Sequence, residues 1–386
     1  MGLTSLLMVD GLLGECMKKV AFRADASLQI GSGHVMRCLT LAQALAEKGF
    51  ECHFICREHP GNLLDLIAEN GFKVHALPVG NVDDLCLGVA TTNVVAHASW
   101  LGSSQAEDAA QTSLVIQDMK LDWLIVDHYS LDATWEDLLK PFYNRLMVID
   151  DLADREHSCD LLLDQNLGRE AQDYDKLVRK PCRFLIGPQY ALLRPEFSEL
   201  REYSLKRRAA GELNHILVTM GGVDQSNATA RILHELRTAE LAEGTKISVV
   251  LGASAPWKDD VRVQARSMPW ETEVFVGVNN MAQIMSDADL SIGAAGSTSW
   301  ERCCLGVPTL LIVLAENQLA GARALAAANA AELVGTLDNI KDISTSLSKF
   351  LSPHRMLSMT RESIRITEGT GVFLIADFLV EGDKHG

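Results

Sequence analysis

The sequence predicts an α/β protein of two halves, each a parallel β-sheet clothed by helices, with the active cleft between them. Three observations predict it. Short apolar runs alternate with longer amphipathic segments from end to end, the pattern of βαβ units. The texture changes near Arg194, where the charged, helical stretch Pro195 to Ala210 runs to Gly211 and reads as a connector. The length, 386 residues, is room for two domains at roughly 150 residues each.

The elements follow in order. Val20–Ala24, Cys52–Cys56, Lys73–Leu77, Trp123–Asp127 and Leu146–Asp150 read as strands of the first half. Between the first two, Val35–Lys48 puts Leu39, Ala42, Leu45 and Ala46 on one helical face and stops at Gly49. Strands resume at His215–Met220, Lys246–Leu251, Glu273–Val276, Leu290–Ile292 and Thr309–Val313, with a helix over Ala228–Glu240. The expected organisation is an extension over 1–16, a first domain over 17–194, a connector over 195–211 and a second domain over 212–386. Ligands in such folds sit at the carboxyl ends of the strands.

Composition narrows the function. Lys plus Arg total 35 against 51 for Asp plus Glu, a formal charge of −16. That field repels phosphate backbones and anionic lipid, so neither nucleic acid nor a membrane surface is the expected partner. Apolar residues at 47% and charged residues at 22% are ordinary for a globular chain. The least charged stretch, Leu85 to Ala106, is broken by Asn93, His97 and Gly102 and is too polar to span a bilayer. Nine cysteines, with Cys303 and Cys304 adjacent and Cys52 and Cys56 four apart, suit neither a disulfide framework nor a zinc site, so a reduced, cytoplasmic protein is expected. Met1 to Cys16 lacks the positive start of a signal peptide and reads as an extension without structural consequence.

The first chemical motif is Arg23-Ala24-Asp25-Ala26-Ser27-Leu28-Gln29-Ile30-Gly31-Ser32-Gly33-His34-Val35-Met36-Arg37-Cys38, which follows a strand and opens a helix. Gly31 and Gly33 allow close backbone approach to a ligand. His34 falls at the helix N-terminus, where the dipole disfavours imidazolium and suits a general base. The alternative is a tight turn whose histidine only caps the helix. Met36 stands where a third glycine would complete GxGxxG, so a dinucleotide site is not supported. Asp127-His128-Tyr129 emerges from another strand, and Tyr129 could reach the same cleft; Asp127 could equally cap the following helix. Asp150-Asp151-Leu152-Ala153-Asp154 invites a metal, but no second carboxylate motif accompanies it, so loop capping is the stronger reading and no metal is expected.

In the second half, Met220-Gly221-Gly222-Val223-Asp224-Gln225-Ser226-Asn227 and Gly293-Ala294-Ala295-Gly296-Ser297-Thr298-Ser299-Trp300-Glu301 each pass from a strand into a helix. Backbone N–H groups at such turns hold phosphate oxygens. Gly222, Gly296, Ser297 and Thr298 are the candidate diphosphate contacts. Glu301, one turn inside its helix, could accept two ribose hydroxyls or serve only as a dipole partner. Asn317 and Gln318 again lie beyond a strand end. Neither half contains GxxxxGK[ST], which argues against an ATP-hydrolysing P-loop.

Taken in order, RADASLQIGSGHVMRC, VDHY, MGGVDQSN, AGSTSWE and ENQ resemble the PseG family of UDP-2,4-diacetamido-2,4,6-trideoxy-β-L-altropyranose hydrolases, from about Met17 to about Ala330. The second half is similar more broadly to GT-B glycosyltransferases such as MurG. The resemblance implies a GT-B fold of two Rossmann-like α/β/α domains, with UDP in the second and a catalytic His34 in the first. It implies that Asp25 and Tyr129 join His34 as catalytic residues and line the sugar pocket with Arg23, and that Glu301 and Asn317 contact the nucleotide or diphosphate-sugar. The implied reaction, a step of pseudaminic acid biosynthesis in flagellin glycosylation, is metal-independent and cofactor-free, cleaving C–O with inversion at C1. The only partner expected is the small-molecule UDP-sugar, and a monomer is expected. The extension before Met17, the tail after Leu351 and the long stretch Val79 to Gln117 depart from the family pattern. The competing functions are a GT-B glycosyltransferase with a UDP-sugar donor and a non-catalytic UDP-sugar carrier.

Overall fold

The computed structural model describes residues 17–80, 97–179, 181–340 and 343–381. The expected extension over 1–16 and much of the unassigned stretch after Val79 therefore lie outside the described residues.

Seven strands form the first sheet: β1 (Lys19–Ala24), β2 (Glu51–Arg57), β3 (Lys73–Leu77), β4 (Leu121–Asp127), β5 (Tyr143–Ile149), β6 (Leu161–Asp164) and β7 (Arg183–Ile186). Their order is β3-β2-β1-β4-β5-β6-β7, with every pairing parallel. The second sheet holds β8 (His215–Thr219), β9 (Lys246–Leu251), β10 (Glu271–Val276), β11 (Leu290–Ala294), β12 (Thr309–Val313) and β13 (Glu332–Thr336), ordered β10-β9-β8-β11-β12-β13 and also all parallel. Strands buried on both faces read as unbroken apolar runs. In β1, Val20 and Phe22 enter one core and Ala21 the other; in β8, Ile216 and Val218 face one helical layer and Leu217 the opposite one.

Three strands escaped the sequence reading: β6, β7 and β13. The first two are only four residues long, and β13 contains Gly335. All three sit at or next to a sheet edge, where the apolar run is shortest.

The connector is a helix, Pro195–Arg207, closed by a 3₁₀ turn and by Gly211 at φ +69°. It is no free linker. Phe197 is fully buried in the second lobe, and Arg201 donates to the carbonyl oxygens of Ile364 and Thr367. The far boundary also needs correction, because the helix Gly371–Glu381 returns to the first lobe. It buries Val372, Ile375, Ala376 and Leu379 against the helix Gly33–Glu47 side of the first sheet. Trp123 Nε1 donates to Leu379 O at 3.2 Å and Lys18 Nζ to Val380 O at 2.7 Å. Sequence periodicity identifies such a helix but not the sheet it covers. No helix among the described residues is long and apolar enough to cross a membrane.

Each sheet reverses its strand order once, between β1 and β4 and between β8 and β11. The turns flanking a reversal splay apart and leave a crevice at the carboxyl ends. The Gly31–His34 and Asp127–Tyr129 turns flank the first reversal; the Gly221–Asn227 and Ala295–Ser297 turns flank the second. The crevices face each other. A β-carbon placed on Gly222 would lie 2.9 Å from Ser32 Oγ, and one on Gly33 would lie 3.9 Å from Ser297 Oγ.

Candidate active site

His34 is the second residue of the helix Gly33–Glu47, as its position after Gly31-Ser32-Gly33 predicts. His34 is 7% exposed, and its ring stands against Tyr129, which lines the crevice between the lobes. Nδ1 lies 2.6 Å from Asp127 Oδ1. Asp127 ends β4, pairs in register with Ala24 of β1, and is fully buried. One turn along the helix, Arg37 donates through Nε to Asp127 Oδ2 (2.6 Å) and through Nη2 to Oδ1 (2.7 Å). Burial opposes ionisation of Asp127, but Arg37 and His34 overcome it and hold the carboxyl far below the usual carboxylate range.

Arg37 Nη1 reaches Asp151 Oδ2 at 2.7 Å, and the Tyr129 hydroxyl donates to the same oxygen at 2.9 Å. The Tyr129 ring stands edge-on to His34, with centroids 4.5 Å apart. Burial and the nearby Asp151 carboxylate push the Tyr129 phenol well above its ordinary value, so at neutral pH it is a hydrogen-bond donor and no base. The stretch that sequence reasoning left unassigned supplies its outer wall: His97 and Trp100 pack 5.4 and 5.8 Å from the Tyr129 ring.

Two expectations are corrected here. Arg23 and Asp25 do not line a pocket; both are fully buried beneath the site. Arg23 forks onto Asp25 (2.6 and 2.9 Å) and onto Asp108 (3.1 and 2.6 Å), and Asp108 also takes Arg57 at 2.6 Å and Trp135 Nε1 at 2.9 Å. Asp108 lies 85 residues from Arg23 on the helix Gln105–Ile116, so local sequence gave no sign that this arginine was already paired. His128 joins this layer. Its Nδ1 accepts the Ser130 N–H at 3.1 Å, and its Nε2 lies 3.2 Å from Asp25 Oδ2 without a hydrogen bond to it. The network supports the floor beneath His34 without touching the cleft.

The aspartate run resolves into two tasks. Asp150 caps its own loop, accepting from Leu152 N and Ala153 N, and pairs with Arg155 at 2.7 Å. Asp151 belongs to the site through Arg37 and Tyr129. Among the described residues no cluster of three or more metal-ligating side chains occurs.

From the opposite lobe come Gly296, Ser297, Ser299, Trp300, Asn317 and Gln318, which share one crevice with Arg37, Tyr129, Asp151 and Asn166. Gly31 and Gly222 instead line a neighbouring compartment of the cleft, with Gly252, Gly277 and Val278 from the second lobe and Met36 and Leu63 from the first. The backbone N–H groups of Gly296, Ser297 and Thr298 donate to no acceptor among the described residues. Thr298 and Glu301 are half-buried alongside. Burial raises the Glu301 carboxyl to about 7, against the opposing pull of Arg194.

Sequence reasoning missed Asp127, Arg37, Asp151 and Ser299 as site residues. The signal for the first was present, since an aspartate ending a buried strand and followed by His-Tyr is placed to face a helix N-terminus across the sheet reversal. Asp151 carried no local signal separating it from Asp150.

Two parallel-sheet α/β lobes facing each other across a polar interlobe crevice define a GT-B fold. Among solved structures, Acinetobacter baumannii MurG superposes with a TM-score of 0.66 at 14% identity, covering 95% of this chain and all of MurG. Residues 215–369 match the model of the glycosyltransferase family 28 C-terminal domain. The resemblance carried by the motifs extends along the chain. It is similar to the UDP-2,4-diacetamido-2,4,6-trideoxy-β-L-altropyranose hydrolase of Campylobacter jejuni, 27% identical over 78% of this chain and 93% of that protein. An uncharacterised protein of Methanocaldococcus jannaschii is 26% identical over 307 residues, 78% of this chain. The chain spans little more than half, 56%, of that protein's length.

Proposed function

We propose that the protein is a UDP-sugar hydrolase that transfers the sugar of a UDP-linked diacetamido-trideoxyhexose to water, releasing UDP. The observation that carries this reading is the His34–Asp127 pair, which Arg37 and Tyr129 join to a crevice whose opposite wall is the Gly296–Ser297 turn. The similarity to the Campylobacter hydrolase across nearly all of that protein's length supports the substrate class.

In this reading the diphosphate lies on the free N–H groups of Gly296, Ser297 and Thr298, at the positive end of the helix Thr298–Leu305. The anomeric carbon then faces the first lobe. His34 Nδ1–H donates to Asp127, which fixes the ring and leaves Nε2 to accept a proton from water. Water oxygen bonds to C1 as the C1–O bond to the β-phosphate breaks, and the bonding pair leaves with UDP. The backbone donors stabilise the departing charge; each such fixed donor is worth ~3 kcal/mol in a water-poor site. Attack opposite the leaving group inverts C1. Asp151 holds Tyr129 edge-on to the His34 ring, so the phenol positions and does not exchange protons.

Incubation with UDP-sugar in ¹⁸O water, without any acceptor, tests the proposal. UDP release with the label in the sugar is expected. Label in UDP would overturn C–O cleavage. Release only when a hydroxyl acceptor is added would favour a glycosyltransferase, a reading that the match over residues 215–369 also supports.

A further inference from the structure

Most buried arginines in this protein face carboxylates or a set of carbonyl oxygens. Arg23, Arg37 and Arg57 each pair with carboxylates, and Arg208 donates to the carbonyl oxygens of Ser286, Ala288 and Leu305. Arg302 differs. It is 1% exposed, and its Nη2 donates to Ala294 O (2.7 Å) and Ser299 Oγ (2.9 Å). Two of its nitrogens, Nε and Nη1, are buried without a hydrogen-bond partner, where Arg57 and Arg208 each leave only Nε, and the carboxyl that acts on it is that of its neighbour Glu301. A buried cation with two unpartnered nitrogens is costly and rarely kept without a use.

Its position suggests the use. A β-carbon on Gly293 would collide with Arg302 Nη1 and lie 3.0 Å from Thr219 O. The guanidinium therefore occupies the space that Gly293 leaves, between the carboxyl ends of β8 and β11. It lies beneath both glycine-rich turns, at the reversal of the second sheet. The glycine at 293 is explained by the arginine behind it and needs no ligand contact.

We propose that Arg302 is a positioning residue for an anionic ligand: the diphosphate adds to the counter-charge that Glu301 only partly supplies, acting through the turn that Arg302 holds at Ala294 and Ser299. The inference rests on the UDP-sugar reading and deepens it. Binding the diphosphate brings negative charge over the guanidinium, so Arg302 raises affinity for the phosphates and not for the nucleoside. Burial drives its pKa down to about 10, against the opposing pull of Glu301.

The test compares UDP, by titration calorimetry, with uridine, by ligand-observed NMR, on the full chain. Arg302→Met is expected to weaken UDP at least tenfold, to leave uridine within twofold, and to melt at or above the wild-type temperature. Arg302→Lys, which keeps the charge, is expected to hold UDP within about threefold of wild type. Equal loss of both ligands in either variant, or unchanged UDP affinity in Arg302→Met, would overturn the assignment and leave a structural brace. Should Arg302→Met not fold, Arg302→Gln takes its place, with the same loss of UDP expected and unchanged UDP affinity overturning the assignment. Failure of the wild-type protein to bind UDP would instead remove the nucleotide reading itself, and the assignment with it.

Discussion

His34 Nδ1 lies 2.6 Å from Asp127 Oδ1, and the two residues come from different strand-to-helix turns on either side of the first sheet's reversal. Neither turn alone makes the pair; the parallel pairing of β1 with β4 does, by bringing Ala24 level with Asp127. Arg37 holds both carboxylate oxygens, so Asp127 cannot swing away from the ring.

His34→Asn and Asp127→Asn are accordingly expected to lower kcat for UDP release by about 10² to 10⁴-fold, the range of general-base catalysis. UDP affinity should change little in the histidine variant, because the proposed diphosphate donors lie on the other lobe. Steady-state kinetics with titration of UDP checks both. Wild-type turnover by His34→Asn would remove the base from the mechanism.

Tyr129 separates positioning from proton transfer. Its hydroxyl donates to Asp151, and its phenol is held well above the usual value by burial and that carboxylate. Tyr129→Phe should lower kcat by about tenfold through a less firmly held His34 ring while leaving the shape of the pH–rate profile unchanged. A lost limb of the profile would show instead that the phenol titrates in the reaction.

The glycine turns are where sequence said most. The pattern of short apolar runs gave ten of the thirteen strands among the described residues, and the glycines after β1, β8 and β11 marked the carboxyl ends that build the cleft. What the pattern could not give was pairing at long range. The family resemblance placed Arg23 and Asp25 in the sugar pocket; their partner Asp108 lies far along the chain, and a buried, saturated arginine reads the same as an exposed one. The terminal helix was legible as a helix, yet its return to the first lobe depends on Ile375 and Leu379 meeting a core built from residues 20 to 56. Side-chain periodicity carries no address.

Gly252 offers a test of the cleft's second wall. A β-carbon there would collide with the Gly222 carbonyl oxygen and lie 2.7 Å from its carbonyl carbon, so the turn after β8 packs directly on the end of β9. Backbone cannot rotate away as a side-chain tip can. Gly252→Ala is therefore expected to displace the Gly221–Val223 turn, to weaken UDP at least tenfold and to cost about 1–3 kcal/mol of stability, as overpacking does. Thermal melts and UDP titration check it. Unchanged UDP binding in this variant would show that the Gly222 turn does not contact the nucleotide.

Glu301 carries the pH prediction. Burial raises its carboxyl from the ordinary range to about 7. A carboxyl whose folded value is raised adds stability that is complete below the unfolded value near 4.5 and is lost as pH climbs through about 7. Glu301→Gln should remove that slope, so the variant gains on wild type between pH 5 and pH 8. Ribose binding has the opposite preference, because the ionised carboxylate accepts two hydroxyl protons and the neutral acid accepts them poorly. Uridine, which has no phosphate to titrate in this range, should therefore bind wild type about tenfold more tightly at pH 8 than at pH 6, following the ionised fraction of a group near 7. Glu301→Gln should bind weakly and without that slope. Uridine affinity that is flat from pH 6 to pH 8 in the wild-type protein would exclude Glu301 from the ribose and leave it as a partner of the helix dipole alone.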